Sequence, residues 1–104
     1  MPAYLVAQVT IHDPVAYAGY QKRVTDAVAK YGGRFIARGG KTVLLEGRTF
    51  GTRVALLEFP SLDRAVEFYH SADYAEAKAH RDGGAADFNL FAIEGAAIDR
   101  SPPP

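Results

Sequence analysis

Apolar and polar residues alternate from Ala3 to Ile11. Leu5, Ala7, Val9 and Ile11 fall on one side, and Tyr4, Val6, Gln8, Thr10 and His12 on the other. That period of two predicts a first strand over Ala3–Ile11. Asp13-Pro14 then supplies an N-cap and a first helical residue with φ already set. The period changes to that of a helix. Tyr17, Tyr20, Val24, Ala27, Val28 and Tyr31 lie within about 100° of arc, and Lys22, Arg23, Asp26 and Lys30 lie opposite. The pattern predicts a helix over Pro14–Tyr31, stopped by Gly32-Gly33, since glycine accepts the left-handed C′ conformation.

The stretch Tyr31–Ser61 reads YGGRFIARGGKTVLLEGRTFGTRVALLEFPS. It predicts a second strand in two pieces, Arg34–Arg38 and Thr42–Glu46, broken or bent at Gly39-Gly40. A hairpin-like loop follows over Gly47–Thr52, then a third strand over Arg53–Phe59. Pro60 closes that strand and Ser61 caps a second helix, whose apolar stripe is Leu62, Ala65, Val66, Phe68 and Tyr69. Asp63, Arg64, Glu67 and His70 form its wet face. Ser71 caps a further short helix over Ala72–His80, which Gly83-Gly84 ends. A last strand is predicted over Asp87–Glu94.

The order β-α-β-β-α-β within one chain of this length is the split-βαβ, ferredoxin-like arrangement: an α+β fold with a four-stranded antiparallel sheet and helices on one face. Residues 1–96 are expected to form one domain, and residues 97–104, ending in Ser101-Pro102-Pro103-Pro104, a Pro-rich tail. Alternation leaves a mixed sheet face opposite the helices, with Tyr4, Val6, Leu44, Leu56 and either Phe88 or Leu90 on it. An apolar patch of that kind marks an interaction surface. A second copy packed sheet to sheet buries it, so a homodimer is expected.

Composition narrows the function classes. The 104 residues include 6 Tyr and 6 Phe, enough for a core in one domain. Twelve basic residues balance twelve acidic ones with no basic stripe, which argues against a nucleic-acid partner. No cysteine is present, which excludes disulfides, thiolate catalysis and thiolate metal sites. MPAYLVAQVTIHD has neither the basic n-region of a signal peptide nor the length of a membrane span, so a cytoplasmic protein without a membrane partner is expected.

Asp13-Pro14 with Tyr17 and Tyr20, then YGGRFIARGG, LLEG, LLEFPS, FYHSADY with Arg81, and FAIEG together resemble the domain-of-unknown-function 1330 family, over about Tyr4 to Gly95. The resemblance implies the dimeric α/β-barrel superfamily, in which two ferredoxin-like sheets pair. That superfamily includes cofactor-free monooxygenases, lactone isomerases, haem enzymes and proteins of no known activity. It therefore implies the fold and the dimer and leaves the reaction open.

Several side chains are candidates for chemistry. Arg38 beside Gly39 and Gly40 fits an anion clamp, and equally a β-bulge with a structural Arg–Glu pair. Glu46 and Glu58 sit among leucines. Each fits either a general base or acid raised by desolvation, or an ion-pair partner: of Arg38, Arg48 or Arg53 for Glu46, and of Arg38 or Arg81 for Glu58. His12 falls on the mixed face, as a base or simply as a polar residue before the helix cap. No two of His12, His70 and His80 have metal-ligand spacing, so no metal and no cofactor is expected. Ser71 reads as a cap, and the tyrosines as core. Asn89 matches in type the amide that cofactor-free monooxygenases use, but the tryptophan that they tend to pair with it is absent. The reading that follows is a dimer whose inter-sheet cleft binds a small organic, anionic molecule through Arg38, Gly39, Gly40, Glu46, Glu58 and His12. The alternatives are a cofactor-independent enzyme of monooxygenase or isomerase type, with Glu58 or His12 as base, and a structural dimer without a ligand.

Overall fold

Asp13 fixes where the first helix begins. In the computed structural model, which describes residues 1–96, its backbone is extended and its carboxylate accepts from the amides of Val15 and Ala16. Pro14 follows as the first helical residue. Helix α1 runs Pro14–Lys30, with Tyr31 as C-cap, and Gly32 takes the turn beyond it at φ 78°. Strand β1, Ala3–Ile11, precedes it. Strands β2, Arg34–Arg38, and β3, Arg53–Phe59, follow. Ser61 and Ser71 both cap as expected, accepting from the amides of Arg64 and Tyr74. They open α2, Leu62–Tyr69, and α3, Ala72–Ala79. Strand β4, Ala86–Glu94, completes the order. No helix among the described residues is long and apolar enough to cross a membrane. The tail expected over 97–104 lies outside the described residues.

The four strands form one antiparallel sheet in the order β2-β3-β1-β4. This is the ferredoxin-like arrangement, with three helices rather than two. Leu5, Ala7 and Val9 of β1 and Leu57 and Phe59 of β3 are buried with Tyr17, Tyr20, Val24, Ala27 and Val28 of α1. Ala65 and Phe68 of α2 and Tyr74 and Ala77 of α3 close the same core. The period-two and period-3.6 patterns therefore bury the faces they mark.

Two expectations need correction. Thr42–Glu46 is not a strand: the chain from Gly40 to Phe50 is exposed and forms no ladder among the described residues, and Val43, Leu44 and Leu45 stand out in solvent. Gly39, at φ 68°, turns the chain away immediately after its amide bonds to the Val54 carbonyl. A β-rich segment with no partner edge has nothing to bond to, whatever its propensity. The second correction concerns β4. Phe88 and Leu90 pack against the core on the helix side. The residues that share the outer face with Tyr4, Val6 and Leu56 are Phe91 and Ile93, because β4 pairs Val6 with Phe91 and Tyr4 with Ile93.

Candidate functional site

The outer face of the sheet carries alternating apolar and polar pairs across the strands. Val6 lies between Leu56 and Phe91, and Tyr4 between Glu58 and Ile93. Phe91 is 48% exposed and Ile93 55%. Around them the polar groups are matched. The Asn89 side-chain amide donates to Gln8 Oε1 at 2.7 Å. The Arg34 guanidinium holds Glu58 Oε1 at 2.9 Å through Nη2 and 3.0 Å through Nε. His12 Nε2 and Asp87 Oδ2 lie 2.8 Å apart at the end of β1. Glu58 and His12, the two candidate bases, thus each have a carboxylate or guanidinium neighbour within hydrogen-bond reach.

Arg38 is on the other face. Between Phe35 and Ala37 the β2–β3 register shifts, with Phe35 opposite Leu57 and Ala37 opposite Leu56. The bulged residue is Ile36, and one extra residue inverts the parity beyond it. Arg34 therefore shares the outer face with Glu58, while Arg38 points with Phe35 toward α1. Its guanidinium donates to the Gln21 carbonyl at 3.2 Å and to Thr25 Oγ1 at 2.8 Å, and stacks 4.1 Å from the Phe35 ring. The partner of Glu58 is Arg34, not Arg38 or Arg81. Glu46 lies in the exposed segment beyond β2 and has no ion-pair partner among the described residues.

The two glycines after Arg38 differ. A Cβ on Gly39 would run into the Arg53 guanidinium, and its positive φ excludes most side chains besides. Gly40 has open space around it. Gly39 is thus a backbone turn that lets Arg53 lie flat against it. The structure does not bring Arg38, Gly39, Gly40, Glu46, Glu58 and His12 together around one space.

What the sequence did not single out is a buried polar cluster on the helix side. The Tyr20 and Tyr74 hydroxyls are 3.0 Å apart, and Arg81 Nη2 donates to the Tyr74 oxygen at 3.1 Å. Arg81 is only 7% exposed, with its Cζ 3.8 Å from the Phe88 ring centroid and 5.4 Å from that of Tyr20. Burial, and after it the neighbouring Tyr74, push the Tyr20 phenol far above its ordinary 10.0, so it stays neutral. Tyr17 is also raised by burial, against the opposing charge and hydrogen bond of Arg53. Arg81 continues the 74-77-81 spacing of the buried Tyr74 and Ala77, and that spacing is the signal that marks it as inward-facing.

The family model for the domain of unknown function DUF1330 matches residues 2–96. No curated protein matches the chain. Among solved structures, the chain is similar to RPA0582 of Rhodopseudomonas palustris, a protein of unknown function, at 24% identity and a TM-score of 0.69, covering 93% of this chain and 84% of that one. It is similar to SnoaB, a cofactor-independent oxygenase from Streptomyces nogalater, at 12% identity and a TM-score of 0.61, covering 96% and 98%. A dimeric protein of unknown function and ferredoxin-like fold from Bacteroides fragilis aligns at 11% identity and a TM-score of 0.56, covering 90% and 96%. At these identities the likeness is one of fold.

Proposed function

The chain belongs to the DUF1330 family, and from that premise we propose that it works as a homodimer, paired sheet to sheet, that binds a small organic molecule in the cleft between the sheets. The observation that carries this reading is the outer face itself. Phe91 and Ile93 are half exposed beside Tyr4, Val6 and Leu56, although full burial of a Phe or Ile stabilises by about 1.5–3 kcal/mol. A second copy covers that apolar strip. The polar pairs Gln8–Asn89, Arg34–Glu58 and His12–Asp87 flank it and give the cleft its hydrogen-bonding groups. The basic group expected of Arg38 on this face is supplied by Arg34. The dimeric ferredoxin-like relative from Bacteroides fragilis supports the same assembly. Because the Arg34 guanidinium already occupies the Glu58 carboxylate, binding fits this face better than proton abstraction by Glu58.

Sedimentation velocity at micromolar concentration tests the assembly. The expected particle has twice the 11.2 kDa chain mass, and Ile93→Lys is expected to reduce it to the single chain by placing an ammonium in the apolar strip. A wild-type protein that sediments as one chain overturns the reading. Native mass spectrometry of the purified dimer tests the ligand, which is expected as a mass retained above that of two chains.

A further inference from the structure

On the opposite side of the sheet, a groove of about 480 Å³ runs between α2, α3 and the β4 edge. That volume lies within the range of small-molecule sites. Val66, Tyr69 and Phe88 give it an apolar wall, and His70, Lys78 and Arg81 supply its basic groups. None of the residues that line it is acidic. The lining itself therefore carries no acid to match its basic groups.

Arg81 is the unusual member. Its Nε is enclosed and has no hydrogen-bond partner among the described residues. Of its five donors, one is used on Tyr74 and the Tyr20 hydroxyl lies close by, while its nearest carboxylate, the exposed Asp82, is 3.7 Å from Nη1, beyond hydrogen-bond length. The rest of its surroundings are ring faces: Phe88, Tyr20 and Tyr74. Those rings favour a cation but satisfy none of its N–H groups. A buried guanidinium with an unpartnered Nε, lining an apolar groove together with a lysine, is complementary to one ligand chemistry: an anion with an apolar body.

We propose that the groove between α2, α3 and β4 is a binding site for a small organic carboxylate, whose anionic end engages Arg81 and Lys78 and whose apolar body lies against Tyr69, Val66 and Phe88. Arg81 turns outward toward the groove to meet the carboxylate, and its planar fork suits that group. The groove opens on the helix side and reaches Asn89 and Phe91 of the outer face at the β4 edge, so shifts at the helix residues Val66, Tyr69 and Lys78 are what distinguish it from the inter-sheet cleft.

The test uses the full chain, 4-phenylbutyrate and its neutral isostere 4-phenylbutyramide, with calorimetry and amide chemical-shift mapping. The acid is expected to shift the amides of Val66, Tyr69 and Lys78 and to bind at least about ten-fold tighter than the amide. Arg81→Gln removes the charge but also disturbs the core, so Val66→Trp is the second variant. Val66 is exposed and lines the groove, and a tryptophan there fills the space. It is expected to weaken the acid by about ten-fold or more while leaving the melting temperature in place. Equal binding of acid and amide, unchanged binding in Val66→Trp, shifts centred on the outer sheet face, or no shift at about 10 mM acid each overturn the proposal.

Discussion

The two faces of this sheet hold arginines under opposite conditions. On the outer face Arg34 is mostly exposed and closes on Glu58 at 2.9 Å. On the helix face Arg81 is buried, with no hydrogen-bonded acid, and rests on aromatic rings and a phenol. An exposed pair gains little, because water screens it and the long side chains lose freedom. A buried, incompletely bonded guanidinium is costly to keep and is therefore informative about function. The outer face has apolar groups without cover and polar groups already matched. The helix face has apolar groups covered and a polar group left unmatched. The first suits the proposed pairing of two copies, the second the proposed carboxylate site.

The largest effect that separates the faces is expected from truncating an aromatic ring on each. Phe68 is 1% exposed and packs 5.0 Å from the Phe59 ring and 4.9 Å from that of Tyr74. Phe68→Ala is expected to cost about 3–5 kcal/mol, the range for a buried ring. Phe91→Ala, at an uncovered position, is expected to cost far less when measured on dilute single chains by urea unfolding. A Phe91→Ala loss as large as that of Phe68→Ala under those conditions would mean that the outer face is covered within one chain.

How far the sequence reached differs between the faces in the same way. Strand β1, helix α1 and the serine and aspartate caps were legible because each is fixed by local rules: alternation, 3.6-residue spacing, and a side-chain oxygen on a free amide. Alternation places Glu58 on the outer face, since β3 is regular from Arg53 to Phe59. Alternation alone misplaces Arg38, because the ladder admits an extra residue at Ile36. Phe91 and Ile93 were missed because the parity of β4 depends on its register with β1, a long-range pairing. In the sequence Arg81 stands out only as a motif residue and a partner for Glu58. Its burial depends on α2, α3 and β4 meeting around it, which local spacing hints at and tertiary packing decides.

A smaller effect probes the phenol pair on the helix face. Tyr20→Phe removes one hydroxyl from the 3.0 Å contact with Tyr74 and keeps the ring, so a loss of about 1–2 kcal/mol is expected near neutral pH. The sharper readout is alkaline. Tyr20 has its folded pKa raised above 10.0, mainly by burial, so the folded state holds a proton that the unfolded chain releases. Its contribution is fully present below pH 10 and declines as pH rises above it, by up to about 1.4 kcal/mol per pH unit for one group. Urea midpoints measured across that range are expected to fall less steeply in Tyr20→Phe than in the wild type. Parallel declines in the two proteins would show that the Tyr20 hydroxyl is not held as described.

The smallest effect belongs to the outer face and turns on what covers it. Glu58→Gln breaks the pair with Arg34 but leaves a side chain of the same shape. In a single chain, with Arg34 70% exposed at its side chain and Glu58 27%, the cost is expected to be below about 1 kcal/mol and to shrink further in high salt. Sheet-to-sheet pairing changes the dielectric around the pair. Glu58 lies directly across from Tyr4 and in line with the apolar strip, so a second copy removes water from the carboxylate and makes an unmatched guanidinium more costly. The same substitution is therefore expected to have a larger effect on unfolding at high protein concentration than at low, with the excess resistant to salt. A cost that is small, salt-sensitive and independent of concentration would leave the pair at an open surface and remove Glu58 from the proposed cleft.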